Sequence, residues 1–119
     1  MNKVMLTGRL VKDVELNNYG KGKNAGVWCR FTLAVNDGKD SEGEAKTQFI
    51  DCKAFGKTAE LLEQFVKKGH VTLITGKIVN ESWEGDDKER HFAQRVIAES
   101  VELLPNRVEE PKEGKKSYR

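Results

Sequence analysis

The chain has 119 residues, enough for one domain with a modest core and too few for two. Hydrophobic residues make up 37% and charged residues 34%, and 21 Lys and Arg stand against 19 Asp and Glu, so the net charge of +2 is too small by itself to identify a polyanionic partner. No apolar run approaches the roughly 20 residues of a membrane span, and MNKVMLTGRL lacks the layout of a signal peptide, so a cytoplasmic protein with no membrane partner is expected.

Residues 2–11, NKVMLTGRLV, alternate Val4, Leu6 and Leu10 against Lys3, Thr7 and Arg9. This predicts a first strand, with Gly8 suggesting a bend or bulge. Residues 17–26, NNYGKGKNAG, are rich in Gly and Asn and predict a long loop carrying Tyr19, Lys21 and Lys23. VWCRFTLAVN, 27–36, puts Val27, Cys29, Phe31, Leu33 and Val35 on one face and Trp28 and Arg30 on the other, a second strand. Polar residues 37–46 lead into a third strand around 47–55. The period then changes. KTAELLEQFVKKG, 57–69, spaces Leu61, Leu62, Phe65 and Val66 along one side of a helix, with two lysines in its last turn and a closing glycine. HVTLITGKIV, 70–79, returns to β-branched residues, with Gly76 as an expected bulge site. Residues 80–91 read as a strand end bearing Trp83, a Gly-Asp-Asp turn and the start of a return strand, and FAQRVIAESVELL, 92–104, closes the sheet. From Pro105 onward the chain is charged and almost without apolar residues, so 105–119 is expected to be a short flexible tail after a domain of 1–104.

Three strands, one helix and a two-stranded hairpin match the five-stranded Greek-key barrel called the OB-fold, an all-β class that binds oligonucleotides or oligosaccharides on its second and third strands and adjoining loops. A helical bundle is excluded by the single helix, and a doubly wound fold would need a helix after nearly every strand.

The third strand, FIDCKAF at 49–55, carries the functional signal. Strand alternation puts Ile50, Cys52 and Ala54 toward the core and Phe49, Asp51, Lys53 and Phe55 on the wetter face. Lys57 follows, Trp28 and Arg30 come from the second strand, and Trp83 from the hairpin, beside Glu81 and Glu84. Aromatic rings interleaved with cations suit a single nucleic-acid strand, whose unstacked bases offer flat apolar faces on a chain of phosphates. Stacking contributes roughly 1–3 kcal/mol per base and is nearly indifferent to base identity. It does not sense the 2′-hydroxyl, so these residues alone leave DNA and RNA both open. Arg9 and Lys77 are further candidate phosphate contacts.

NKVMLTGRL, FTLAVND at 31–37, FIDCKAFGKTAELLEQFVKKG at 49–69 and the run from LITGKI to SW at 73–83 resemble the bacterial-type single-stranded DNA-binding proteins over nearly all of residues 2–104. The resemblance implies an OB-fold homo-oligomer, usually a tetramer, that coats single-stranded DNA during replication, recombination and repair. It implies that Phe49, Phe55 and Trp83 stack bases and that Lys57 and Lys68 help hold phosphates. No catalysis and no cofactor or metal are implied. Three departures stand out. Relatives often carry another tryptophan where this chain has Lys39, a platform for which Trp28 would compensate. They are often basic just before Trp83, whereas Glu81 here should weaken phosphate attraction. They end in an acidic, apolar-tipped peptide that recruits other enzymes, whereas this chain ends KKSYR, which implies a phage, plasmid-borne or specialised member. Replication or recombination proteins stay open as partners, though not through such a tip.

Other readings stand beside these. Phe49 and Phe55 could sit in a subunit interface or plug a barrel end, Trp28 could cover an apolar patch between subunits, and Lys67 and Lys68 could simply complement the helix dipole. The whole domain could instead dock another protein in a primosome-like assembly and bind DNA weakly. An enzyme using Cys52, His70 and Asp51 fails on parity, because Asp51 and Cys52 are strand neighbours that face opposite ways. No GxxxxGK[ST] loop supports ATP-driven unwinding. Cys29 and Cys52 are expected as reduced core residues, and His70 and His91 as structural residues without metal-ligand spacing.

Overall fold

The computed structural model describes residues 1–104, and the tail expected over 105–119 lies outside the described residues. In chain order the elements are β1 (Val4–Leu10), β2 (Asn17–Tyr19), a short 3-10 turn (Gly22–Asn24), β3 (Gly26–Lys39), β4 (Ala45–Phe55), α1 (Gly56–Phe65), β5 (Val71–Glu84) and β6 (Arg90–Leu103). The sheet runs β1-β5-β6-β4-β3-β2, and a further β1–β3 pairing closes five of the strands into a barrel with β2 flanking β3. That closure is short, Arg9 opposite Ala34 and Leu10 opposite Leu33. β4 and β6 run parallel from Cys52–Val96 to Ala54–Ala98, while the other pairs are antiparallel. Parallel neighbours need a crossover, and here α1 and β5 supply it. This is the expected OB-fold barrel. No helix among the described residues is long and apolar enough to cross a membrane.

Strand alternation fills the barrel. Cys29, Phe31 and Leu33 of β3, Cys52 and Ala54 of β4, Ile74 of β5, and Val96 and Ala98 of β6 are buried, capped by Ala59 and Leu62 of α1 and by Val66 beyond it. Leu33, Leu62 and Ile74 are fully enclosed, and burying each such side chain contributes about 1.5–3 kcal/mol. Both cysteines are free thiols in this core. Burial pushes the Cys29 thiol up to about 11 and that of Cys52 to about 12, so neither ionises near neutral pH.

Three local expectations are corrected and one is borne out. The Gly/Asn-rich segment contains a three-residue strand, β2, which pairs Asn17–Tyr19 with Gly26–Trp28 because β3 presents an open edge there. The helix stops at Phe65 rather than at Gly69. Val66 turns extended to bury itself while its N–H still bonds to Leu62 O, so Lys67 and Lys68 lie beyond the helix. Lys67 Nζ donates to Glu63 O at 2.9 Å, and Gly69 N donates to Leu10 O at 2.9 Å, tying the post-helix turn to β1. Gly8 carries no register break. It lies against β3, where an added β-carbon would come within 2.5 Å of Ala34 O. The bulge expected at Gly76 is present, since the register with β6 shifts between Thr75 and Gly76. Beyond it β5 and β6 continue as a hairpin to the Glu84–Arg90 pair, closed by Gly85 N donating to Glu89 O at 3.0 Å.

Gly8→Ala should destabilise the fold by about 1–3 kcal/mol, because backbone and a buried leucine, not a flexible side chain, occupy the space its methyl needs. Urea unfolding followed by circular dichroism reads this as a lowered midpoint, and an unchanged midpoint would mean that β1 and β3 can part at no cost.

Candidate functional site

The β3–β4 register decides which side chains meet. Trp28 is directly opposite Phe55, Arg30 opposite Lys53, Thr32 opposite Asp51 and Ala34 opposite Phe49. All eight point away from the core because Cys29, Phe31, Leu33, Cys52 and Ala54 point into it. The row continues sideways: Lys53 is opposite Ile97 of β6, and Ile97 is opposite Lys77 of β5, so Lys77 lies two strands from Lys53 on the same outer wall.

Phe55 ends β4, and Gly56 starts α1 with φ of 60°, a left-handed conformation that lets strand pass into helix without an intervening loop. Phe55 is thereby held at the rim, 45% exposed. Opposite it, Trp28 lies beneath two cations, with Lys53 Nζ 5.5 Å and Arg30 Cζ 5.9 Å from its ring centroid. Tyr19 completes the group. It is brought there by β2, and its ring occupies the space a side chain on Gly26 would need. Tyr19, Trp28, Lys53 and Phe55 line an open recess of about 330 Å³.

A second recess of about 560 Å³ is lined by Arg30, Lys53, Glu81, Ser82, Trp83 and Arg95. Trp83 stands on the β5–β6 hairpin opposite His91, the two rings stacked at 5.7 Å with 23° between planes. Asp87 accepts from Glu89 N at 2.9 Å and pairs with His91 Nε2 at 3.2 Å. The Glu89 N–H, then His91, hold the Asp87 carboxyl below its ordinary range. Glu81 sits between cations, its Oε2 at 2.9 Å from Lys53 Nζ and its Oε1 at 2.7 Å from Arg95 Nε. Hydrogen bonds from Lys53, then from Arg95, hold its carboxyl below the usual carboxylate range. Arg95 also reaches Asp51 at 3.6 Å.

The remaining candidates lie elsewhere. Phe49 is 65% exposed. It is six residues from Phe55, about 20 Å at strand rise, in a mostly apolar recess with Val4, Leu6, Ile50, Ile78 and Val96. Arg9 of β1 donates from Nη1 to Gly69 O at 3.2 Å in the turn after α1, and Lys68 in that turn donates its backbone N–H to Asp13 at 2.7 Å. Lys57 is exposed in the first turn of α1, next to Phe55. Asp51 and Cys52 face opposite ways, as parity requires, and His70 accepts from Lys67 N at 3.2 Å, so no triad assembles from these three. The described residues hold no cluster of His, Cys, Asp and Glu fit for a metal. Sequence reasoning missed Tyr19 and Arg95 as members of the face. The aromatic ring in a Gly/Asn-rich stretch was a signal for the first, and strand parity with His91 and Ala93 was a signal for the second.

A model of the single-strand binding protein family matches residues 1–104. Single-stranded DNA-binding protein 3 of Listeria innocua is 38% identical over 108 residues, covering 90% of this chain and 66% of that one. Single-stranded DNA-binding protein 1 of Streptococcus pyogenes is 40% identical, covering 90% and 81%, and that of Clostridium perfringens 42%, covering 87% and 66%. The chain thus spans just under two thirds of the Listeria and Clostridium relatives. A solved structure, a Plasmodium falciparum SSB complex with ssDNA, shares the fold at a TM-score of 0.74 and 19% identity, covering 88% of this chain and 96% of that one.

A carboxyl whose acidity is raised by its partners stabilises the folded state above the unfolded value, about 4.3 for Glu, and loses that contribution as pH falls through the folded value. The melting-temperature difference between the native chain and Glu81→Gln should therefore be constant near neutral pH and shrink in acid. Thermal melts across a pH series check this, and a difference independent of pH would mean that Glu81 is not ion-paired in solution.

Proposed function

The chain belongs to the single-strand binding protein family, and on that premise we propose that it binds and protects single-stranded DNA, without regard to base sequence, during replication, recombination and repair. The observation that carries this reading is the pairing of Trp28 with Phe55 across β3 and β4, with Tyr19 and Lys53 completing one open recess. Rings left at the surface gain little from water, and a nucleobase covers them while its phosphates meet Lys53, Arg30 and the adjacent Lys57. Trp83 on the hairpin serves as a second stacking station, with Lys77 six residues earlier on the same strand. Arg9 on β1 and Lys68 in the turn after α1 are further phosphate contacts in this reading. The action is binding without catalysis, set in the cytoplasm.

In this reading the chain works as a homo-oligomer, a tetramer by family likeness. Exposed Met5, Ile78 and Phe92, at 66%, 43% and 76%, supply apolar surface that a second copy would cover. Phe49 has two roles open to it. Its position on the face of β4 supports stacking, and its apolar recess supports burial against another subunit.

Titration of labelled oligo-dT against duplex of equal length, with molar mass from light scattering, tests the reading. Strong preference for the single strand, quenching of tryptophan emission at saturation and a multimeric mass are expected. Equal affinity for duplex would overturn it. Phe55→Ala should weaken oligo-dT binding by roughly 1–3 kcal/mol while the barrel stays folded. Loss of fold would instead make this ring a structural residue.

A further inference from the structure

The two aromatic stations are joined by paired charge. Lys53 lines both the recess of Trp28 and Phe55 and the recess of Trp83. A strand with one base on the first station and another on the second must carry its connecting phosphates across Lys53. Yet Lys53 already has an anionic partner. Glu81 divides its two oxygens between Lys53 Nζ and Arg95 Nε, at 2.9 and 2.7 Å. The cations are held well in, with side chains 19% and 14% exposed, whereas Glu81 is 27% exposed. Two cations presented to two oxygens of one planar anion is also the arrangement that two phosphate oxygens would satisfy. Arg95 keeps a longer contact to Asp51, which in turn accepts from Thr32 Oγ1 at 3.1 Å, so its guanidinium stays oriented if Glu81 leaves.

We propose that Lys53 and Arg95 form a phosphodiester-binding site that Glu81 occupies in the free protein, so that the backbone of a bound strand must displace the Glu81 carboxylate. The inference rests on the single-strand reading above. Exchange of one internal anion for one phosphate leaves the charge at the site nearly constant, so this contact adds little counterion release and little salt sensitivity. Binding across the centre of the face is then governed by stacking, and Glu81 sets how much the two central cations can add. Arg95 contributes as a phosphate ligand and Glu81 as the residue that competes for it.

The test is fluorescence titration with oligo-dT at a series of salt concentrations, using the full chain. With Glu81→Gln the affinity at low salt should rise several-fold. The log–log salt dependence should steepen by about 0.7 for each additional phosphate neutralised. Arg95→Met in the Glu81→Gln background should remove that extra slope. Glu81→Ser serves as a second uncharged variant, and thermal melts report folding for each. If the native chain does not bind oligo-dT, the single-strand reading fails. If it binds but neither uncharged variant changes the slope, the displacement proposal fails and the reading stands. Loss of fold in both variants also overturns the proposal, because it would make Glu81 a structural tie between the hairpin and β4.

Discussion

The exposed face depends on the pairing of β3 with β4. Alternation along each strand sends Cys29, Phe31, Leu33, Cys52 and Ala54 inward, and the antiparallel register then aligns what remains: Trp28 with Phe55, Arg30 with Lys53, Thr32 with Asp51. A slip of one residue would turn every one of these side chains over. The fully buried Leu33 and Cys52 make such a slip costly, so the core that stabilises the barrel also holds the aromatic and cationic rows in step. The small buried Ala54, Ala59 and Ala98 let α1 pack close across β3, β4 and β6, and α1 begins where Phe55 ends. Packing and surface chemistry are two sides of one pleated strand.

Electrostatics on this face is arranged locally. The chain as a whole carries only +2, and much of the charge near the centre is internally matched: Glu81 with Lys53 and Arg95, Asp51 with Arg95. A surface of this kind attracts a polyanion weakly at long range and depends on contact at short range, where rings and cations act together. The lysine above Trp28 links the two, because Lys53 touches the indole face and an internal carboxylate at once.

Much of this architecture was legible along the chain. The first strand, the FIDCKAF face, the bulge at Gly76 and the helix after the third long strand follow from period-two and period-3.6 patterns, which are local properties. What was not legible depended on partners distant in sequence. Asn17–Tyr19 has no strand pattern of its own and is a strand only because β3 leaves an edge for it. The helix gives way at Val66 because the core takes that side chain, a demand that the lysines and glycine after it do not reveal. Gly8 reads as a bend but answers to the approach of Ala34 from β3. Arg95 joins the face because Glu81 and Asp51 lie beside it on neighbouring strands.

By itself, then, the amino-acid order determined which residues face in and which face out, because alternation and helical period are written into successive side chains. The folded chain alone decided which outward residues are neighbours: that Trp28 meets Phe55 and Tyr19, and that Glu81 rests on Lys53 and Arg95. Neighbourhood across a closed barrel is set by register and by the crossover through α1, which bring together residues separated by tens of positions. No local pattern encodes those distances.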